Sequence, residues 1–243
     1  MASPGAPAPA AGAIRREPSA AVLAALRGAD AFCFDVDSTF CQDESIDELA
    51  AFLGVGDRVA ALTAAAMGGA VPFQDALAQR LDVMRPSASD VANFLASHPH
   101  LVTPGIPELL AALAARGQHV FLVSGGFRQI IHPLAEALGI PVDHVFANSL
   151  LFRPDGAYAG FDPGEFTSRS GGKCEAVRHL KARWGLGGVV MVGDGATDAE
   201  ARAPGGADVF VGYGGVVFRQ GVAERADWYV EDVGAITRAL LTV

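Results

Sequence analysis

One pattern constrains this chain of 243 residues more than any other. Short apolar runs alternate with helical stretches, and the alternation is interrupted once by a long segment without a strand. Ala31–Asp35 (AFCFD), His119–Val123 (HVFLV), Val145–Ala147, Val189–Val192, Val209–Val211 and Trp228–Val230 read as strands. Helical patterns cover Ala20–Arg27, Pro107–Ala115, Arg128–Leu138, Cys174–Trp184 and Val233–Leu241. Such alternation predicts an α/β fold, a parallel sheet covered by helices. Leu150–Phe152 and Tyr158–Phe161 flank Pro154-Asp155-Gly156, the pattern of a hairpin. Between the first two core strands lie only helical segments: Ile46–Phe52, Arg58–Ala66, Phe73–Val83 and Ala88–Leu95. Gly54, a turn over residues 68–72 and Pro86 separate them. The expected organisation is a tail over 1–17, an α/β core over 18–43 and 101–243, and an all-helical insert over 44–100. An insert of that length in a compact domain suggests a functional lid.

Composition removes several classes of function. Hydrophobic residues make up 51% and charged residues 19%, which excludes a disordered or fibrous chain. The longest uncharged internal stretch, Val59–Gln74, is broken by Gly68, Gly69 and Pro72 and is too short and too weakly apolar to span a bilayer. A net charge of −9 without a run of Lys or Arg argues against nucleic acid or an anionic membrane as partner. Small anionic substrates stay open, because a cation or a few local donors reverse the sign inside one cleft. Cys33, Cys41 and Cys174 have no metal-ligand spacing and point to a reducing cytoplasm. Pro4, Pro7 and Pro9 make the Ala-rich start a poor signal peptide, while an organellar address stays open.

Ligands of open α/β sheets bind beyond the carboxyl ends of the strands. Three strands here stop at polar residues: Asp35-Val36-Asp37-Ser38-Thr39, Ser124-Gly125-Gly126, and Gly193-Asp194-Gly195-Ala196-Thr197-Asp198. Parallel strands would gather Asp35, Asp37, Asp194 and Asp198 at one edge. Carboxylates so gathered repel one another unless a cation joins them. A donor set of oxygen alone suits Mg²⁺, which pairs with phosphate substrates. Ser124 and the N–H groups of Gly125 and Gly126 are then candidates to bind phosphate oxygens, and Lys173 to balance their charge. Rival motifs fail: Leu122 stands where G-x-S-x-G needs its first glycine, and before Gly172-Lys173 Thr167 replaces the glycine a P-loop requires.

These residues resemble the haloacid dehalogenase (HAD) superfamily, with DVDST as its first motif, Ser124 as its second, then Lys173 and the acidic GDGATD. FDVDSTF, ESIDELA, AAMGGAVPFQDAL, VFLVSGGFR and MVGDGATD further resemble its phosphoserine phosphatase family, over nearly the whole chain after the tail. The resemblance implies a Rossmann-like core with a small helical cap, and Mg²⁺-dependent hydrolysis of O-phospho-L-serine through an aspartyl-phosphate. It implies Asp35 as nucleophile and Asp37 as acid and base. The metal would be held by Asp35, the Asp37 carbonyl and Asp194, with Asp198 supporting them. Ser124 and Lys173 would orient the phosphoryl group. Glu44, Met67, Gly68, Phe73, Arg80 and Thr197 would surround the rest of the substrate. A homodimer is compatible with it. Two other readings are another small phosphomonoester as substrate, and a phospho-receiver switch, which has no use for the insert.

Overall fold

The computed structural model describes residues 14–66 and 71–242. Helix α1 (Ala20–Gly28) leads into β1 (Ala31–Phe34), and four helices follow: α2 (Ser45–Phe52), α3 (Gly56–Ala66), α4 (Phe73–Met84) and α5 (Ala88–Ser97). Then come α6 (Ile106–Ala115), β2 (His119–Phe127), α7 (Arg128–Ala137), β3 (Val145–Asn148) and the antiparallel pair β4 (Leu150–Phe152) and β5 (Tyr158–Phe161). The chain ends with α8 (Gly172–Trp184), β6 (Val189–Gly193), α9 (Ala196–Glu200), β7 (Val209–Tyr213), α10 (Gln220–Arg225), β8 (Trp228–Val230) and α11 (Val233–Leu241).

Six strands form a wholly parallel sheet in the order β3-β2-β1-β6-β7-β8. The chain works outward from β1 to β3, then returns to the other side of β1 and works outward again. The reversal leaves a crevice at the carboxyl end of β1, where such sheets bind ligands. β1 is buried on both faces, so its alternation is apolar against apolar. Phe32 and Phe34 pack under α1, α6, α7 and α11, while Ala31 and Cys33 pack under α8, α9 and α10.

A third core joins the helices of the insert. Ile46, Leu49, Val59, Leu77, Leu81, Val91 and Phe94 pack together with Phe127, Ile130, Leu150 and Tyr158. The β4–β5 hairpin, assigned to the α/β core from sequence, thus contributes its apolar side chains to the cap cluster. α5 is closed by a capping box, in which Ser87 and Asp90 exchange hydrogen bonds of 3.1 and 2.9 Å.

The structure departs from the sequence reading at four further places. Ile14–Glu17, expected within the tail, lies along β8: Tyr229 N–H donates to the Arg15 carbonyl at 2.7 Å and Trp228 Nε1 to that of Arg16 at 3.0 Å. β8 is an edge strand, and this segment takes up donors that would otherwise face solvent. Ser124–Gly126, read as a loop, belongs to β2, whose pairing with β3 shifts register between Val123 and Phe127. α8 starts at Gly172, placing Lys173 within its first turn. The short helices α9 and α10 had no visible periodicity. Among the described residues no helix is long and apolar enough to cross a membrane.

Candidate active site

The chain leaves β1 through a wide turn, closed by Cys41 N–H donating to the Val36 carbonyl at 2.8 Å. Ser38 takes the left-handed conformation there, with φ 53°, a strained state for a residue with a Cβ. Asp35 opens the turn. One of its oxygens, Oδ1, accepts from Val36 N–H at 2.8 Å and from Lys173 Nζ at 2.8 Å. The first turn of α8 delivers Lys173, which also donates to Asp198 Oδ1 at 2.6 Å. Burial opposes the ammonium charge, but Asp198 and Asp35 outweigh it and hold the lysine above its ordinary pKa.

Asp37 lies two residues along the same turn. Its Oδ1 accepts from Ser45 N–H at 2.8 Å. Burial first, then the charges of Asp35 and Glu44, push its carboxyl up to about 7. Neighbouring hydroxyls of the turn reach outward: Ser38 donates to Glu44 Oε1 at 2.7 Å and Thr39 to Asp194 Oδ1 at 3.1 Å. Asp194 follows β6, and Gly193 before it leaves room for Asp198, since a Cβ there would lie 2.2 Å from the Asp198 carboxyl carbon. Asp198 is fully buried; its Oδ2 accepts from Gly195 N–H at 2.9 Å and so caps α9.

One oxygen each from Asp35, Asp194 and Asp198 falls within 4.8 Å of the others. This all-oxygen set fits a hard divalent cation such as Mg²⁺. Both oxygens of Asp198 are already engaged, by Lys173 and by Gly195, so its place is to support Lys173 and the loop. Asp194 is engaged as well, by the Thr39 hydroxyl at Oδ1 and by Arg219 at Oδ2.

The second sheet loop completes the edge. Ser124 is fully buried and its Oγ accepts from Gly126 N–H at 2.9 Å, so that amide, expected to bind phosphate, is engaged by its own neighbour. The Gly125 carbonyl accepts from Asn148 Nδ2 at 2.7 Å. From the cap, the Phe73 ring lies over Gly125, close enough that a Cβ there would meet its Cζ at 3.2 Å. Arg80 donates from Nε to the Ala76 carbonyl at 3.2 Å. Burial lowers its pKa, and Asp47, Glu44 and Asp37 oppose that shift through their charges. Burial likewise raises the Glu44 carboxyl, with the Ser38 hydroxyl acting against it.

Asp35, Asp37, Ser124, Lys173, Asp194 and Asp198 therefore meet at one sheet edge, and Glu44, Phe73 and Arg80 approach from the cap. Thr197 sits in the first turn of α9 beside Gly195. Met67 and Gly68 lie outside the described residues. Sequence reasoning missed Arg219, which follows β7 at the same edge. It contacts the Asp194 carboxylate, donates to the Asp194 carbonyl at 3.3 Å and comes within 3.8 Å of Glu44. The available signal was a lone arginine closing the apolar loop Gly214-Gly215-Val216-Val217-Phe218 after a core strand.

A parallel sheet carrying D-x-D at its central strand, a serine on one neighbour and an acidic loop on the other defines a class of phosphoryl-transfer hydrolases. Residues 29–206 match the model of haloacid dehalogenase-like hydrolases, and the chain belongs to that family. Within it the chain falls among the phosphoserine phosphatases. It is 53% identical over 213 residues to "Phosphoserine phosphatase, chloroplastic" of Arabidopsis thaliana, covering 88% of this chain and 72% of that one. Identity to "Phosphoserine phosphatase" of Bos taurus is 52%, over 87% of this chain and 93% of that one. A solved structure described as a phospho-aspartyl intermediate analogue of phosphoserine phosphatase superposes with a TM-score of 0.74 at 28% identity, covering 86% and 97% of the two chains.

Proposed function

We infer that this protein hydrolyses O-phospho-L-serine to L-serine and phosphate through an aspartyl-phosphate. The observation that carries the chemistry is the pair of carboxyls on one turn. Asp35 is ion-paired to Lys173, while Asp37 titrates near neutrality. Asp35 attacks phosphorus, and Asp37 gives its proton to the leaving serine oxygen. Asp37, now a carboxylate, accepts a proton from the water that releases phosphate. Lys173 and Ser124 bear on the phosphoryl oxygens and orient them. Asp35, Asp194 and the Asp37 carbonyl are the groups that would hold Mg²⁺, which when bound supplies charge to the phosphoryl oxygens. Release of phosphate from O-phospho-L-serine by the purified protein, set against phosphothreonine, sugar phosphates and phosphoglycolate, tests the reading. A long-lived phospho-aspartate without turnover would favour a receiver switch instead.

EDTA is expected to abolish activity and Mg²⁺ to restore it. Ca²⁺ should restore it poorly, because its larger and more flexible shell misplaces Asp35 against phosphorus. Phosphate release that persists after exhaustive chelation would remove Asp35 and Asp194 from metal binding.

Phosphoserine adds an ammonium and a carboxylate to the phosphate, so a selective site needs one acid and one base more. Glu44 and Arg80 are the acid and the base. The guanidinium suits a carboxylate, and Glu44 suits the ammonium. Phe73 over Gly125 shields the closed site from water. Arg80→Ala should raise KM for phosphoserine by roughly ten- to a hundredfold, the worth of a charged hydrogen bond. It should barely change turnover of p-nitrophenyl phosphate, which has no amino-acid end. Glu44→Gln should show the same selectivity. Equal losses on both substrates would return these residues to a structural role.

The three buried, unpaired cysteines support a reducing cytoplasm as compartment. The relative named chloroplastic keeps an organellar address open.

A further inference from the structure

Ser45 opens α2, directly after Glu44, and its side chain has a place in the site that its neighbours do not explain. The residue is 8% exposed, and its hydroxyl has no hydrogen-bond partner among the described residues. Buried hydroxyls in native proteins are almost always paired, so an isolated one points to a missing partner. Its backbone N–H already serves Asp37 Oδ1 at 2.8 Å, and the hydroxyl lies beside the same carboxylate and helps to hold its charge, with its lone pairs still able to accept.

The geometry around Gly126 says where that partner belongs. A Cβ on Gly126 would lie 3.1 Å from Asp37 Oδ2, 3.2 Å from Ser124 Oγ and 3.2 Å from Ser45 Oγ. Three oxygens from three segments of chain thus converge on one side of Gly126, where a Cβ would press on all of them. The first moves a proton and the second orients the phosphoryl group. We propose that the third, Ser45 Oγ, holds the oxygen that arrives at or departs from phosphorus. This rests on the aspartyl-phosphate reading above and names a residue it did not use.

By microscopic reversibility one position serves both half-reactions. In the first, Asp35 bonds to phosphorus as the bond from phosphorus to the serine oxygen breaks, and Asp37 protonates that oxygen. In the second, a water oxygen bonds to phosphorus while the bond from phosphorus to Asp35 breaks. The electron pair returns to the Asp35 carboxylate, the water proton passes to Asp37, and inorganic phosphate leaves. Ser45 Oγ and Asp37 Oδ2 together fix the water, as one hydrogen bond alone does not.

Rapid-quench kinetics with p-nitrophenyl phosphate and Mg²⁺ test this, scoring hydroxylamine-labile phosphoenzyme. Nitrophenolate is a stable leaving group that needs neither a proton nor a hydrogen bond to depart, so Ser45→Ala should form phosphoenzyme at close to the wild-type rate. Its decay should slow by about tenfold, the worth of one lost hydrogen bond, and the trapped fraction should rise. Ser45→Gly should reproduce this, and Ser45→Thr, which keeps the hydroxyl, should restore decay. Loss of the hydroxyl should also move the inflection of Asp37 upward, and the slower decay should persist on the plateau above it. Wild-type decay in the alanine and glycine variants overturns the proposal. So does a displaced inflection with a wild-type plateau, which would mean that Ser45 acts only on Asp37, and so does equal slowing of formation and decay. If the wild-type protein itself yields no phosphoenzyme in the same quench, the covalent reading fails and this proposal falls with it.

Discussion

Asp35→Asn is expected to abolish both phosphate release and phosphoenzyme formation, a loss of roughly four to six orders of magnitude by the standard of other enzymes stripped of their nucleophile. The amide keeps the shape and volume of the carboxylate but has no charge with which to attack phosphorus. Its fold should survive. Lys173 keeps Asp198 as counter-ion at 2.6 Å, so no buried ammonium is left alone. Val36 N–H can still donate to the amide oxygen, as it donates to Asp35 Oδ1 at 2.8 Å. A thermal melt beside the assay separates lost chemistry from lost structure. Near-wild-type turnover in cleanly folded Asp35→Asn would overturn the covalent mechanism.

Asp37→Asn should cost less and fail in a different way. Removing a general acid and base lowers turnover by about 10²–10⁴-fold, while the nucleophile two residues earlier stays in place. An activated substrate needs no proton on its leaving group, so p-nitrophenyl phosphate should still phosphorylate Asp35. The second step then lacks its base and phosphoenzyme should accumulate. Equal losses on activated and ordinary substrates, with nothing trapped, would count against this role. The pH dependence has a definite sign. Burial, with the charges of Asp35 and Glu44, pushes Asp37 up to about 7. Formation of phosphoenzyme from phosphoserine needs the acid form and should fall as pH rises through that value. Decay needs the carboxylate and should fall as pH drops through it. Single-turnover rates of the two steps should therefore slope in opposite directions, and Asp37→Asn should flatten both. Parallel slopes in the wild-type protein would mean that another group moves the proton.

Much of this molecule can be read along the chain because its elements carry local signals. Apolar four- and five-residue runs such as AFCF and VVMVG, short and rich in β-branched or aromatic residues, read as strands buried on both faces, and the helices between them make the crossovers parallel. Parallel strands bring their carboxyl ends to one edge, so D-x-D, Ser124 and Asp194 had to be neighbours whatever the details of packing. The strand-free insert was equally legible from Gly and Pro between periodic stretches. Other features left no local trace. α9 and α10 are too short for their periodicity to rise above chance, and the bulge that keeps Ser124–Gly126 within β2 depends on its pairing with β3. The hairpin's service to the cap core, through Leu150 and Tyr158, depends on which face of it meets α4 and α7.

The site divides along the same line. Sequence alone determined which residues carry charge to the sheet edge, because a strand end is a local feature and a parallel sheet has only one carboxyl edge. Tertiary structure decided how those charges are shared. Asp198 is bonded through both oxygens to Lys173 and Gly195, while Arg219 crosses from the loop after β7 to Asp194. The hydroxyl of Ser45 gains its meaning only because Gly126, eighty-one positions away in sequence, lacks the Cβ that would fill the space in front of it. Hydrogen-bond partners are chosen by distances of a few tenths of an ångström between segments far apart in the chain. No periodicity or composition records those distances, since they come from the packing of three cores against one another.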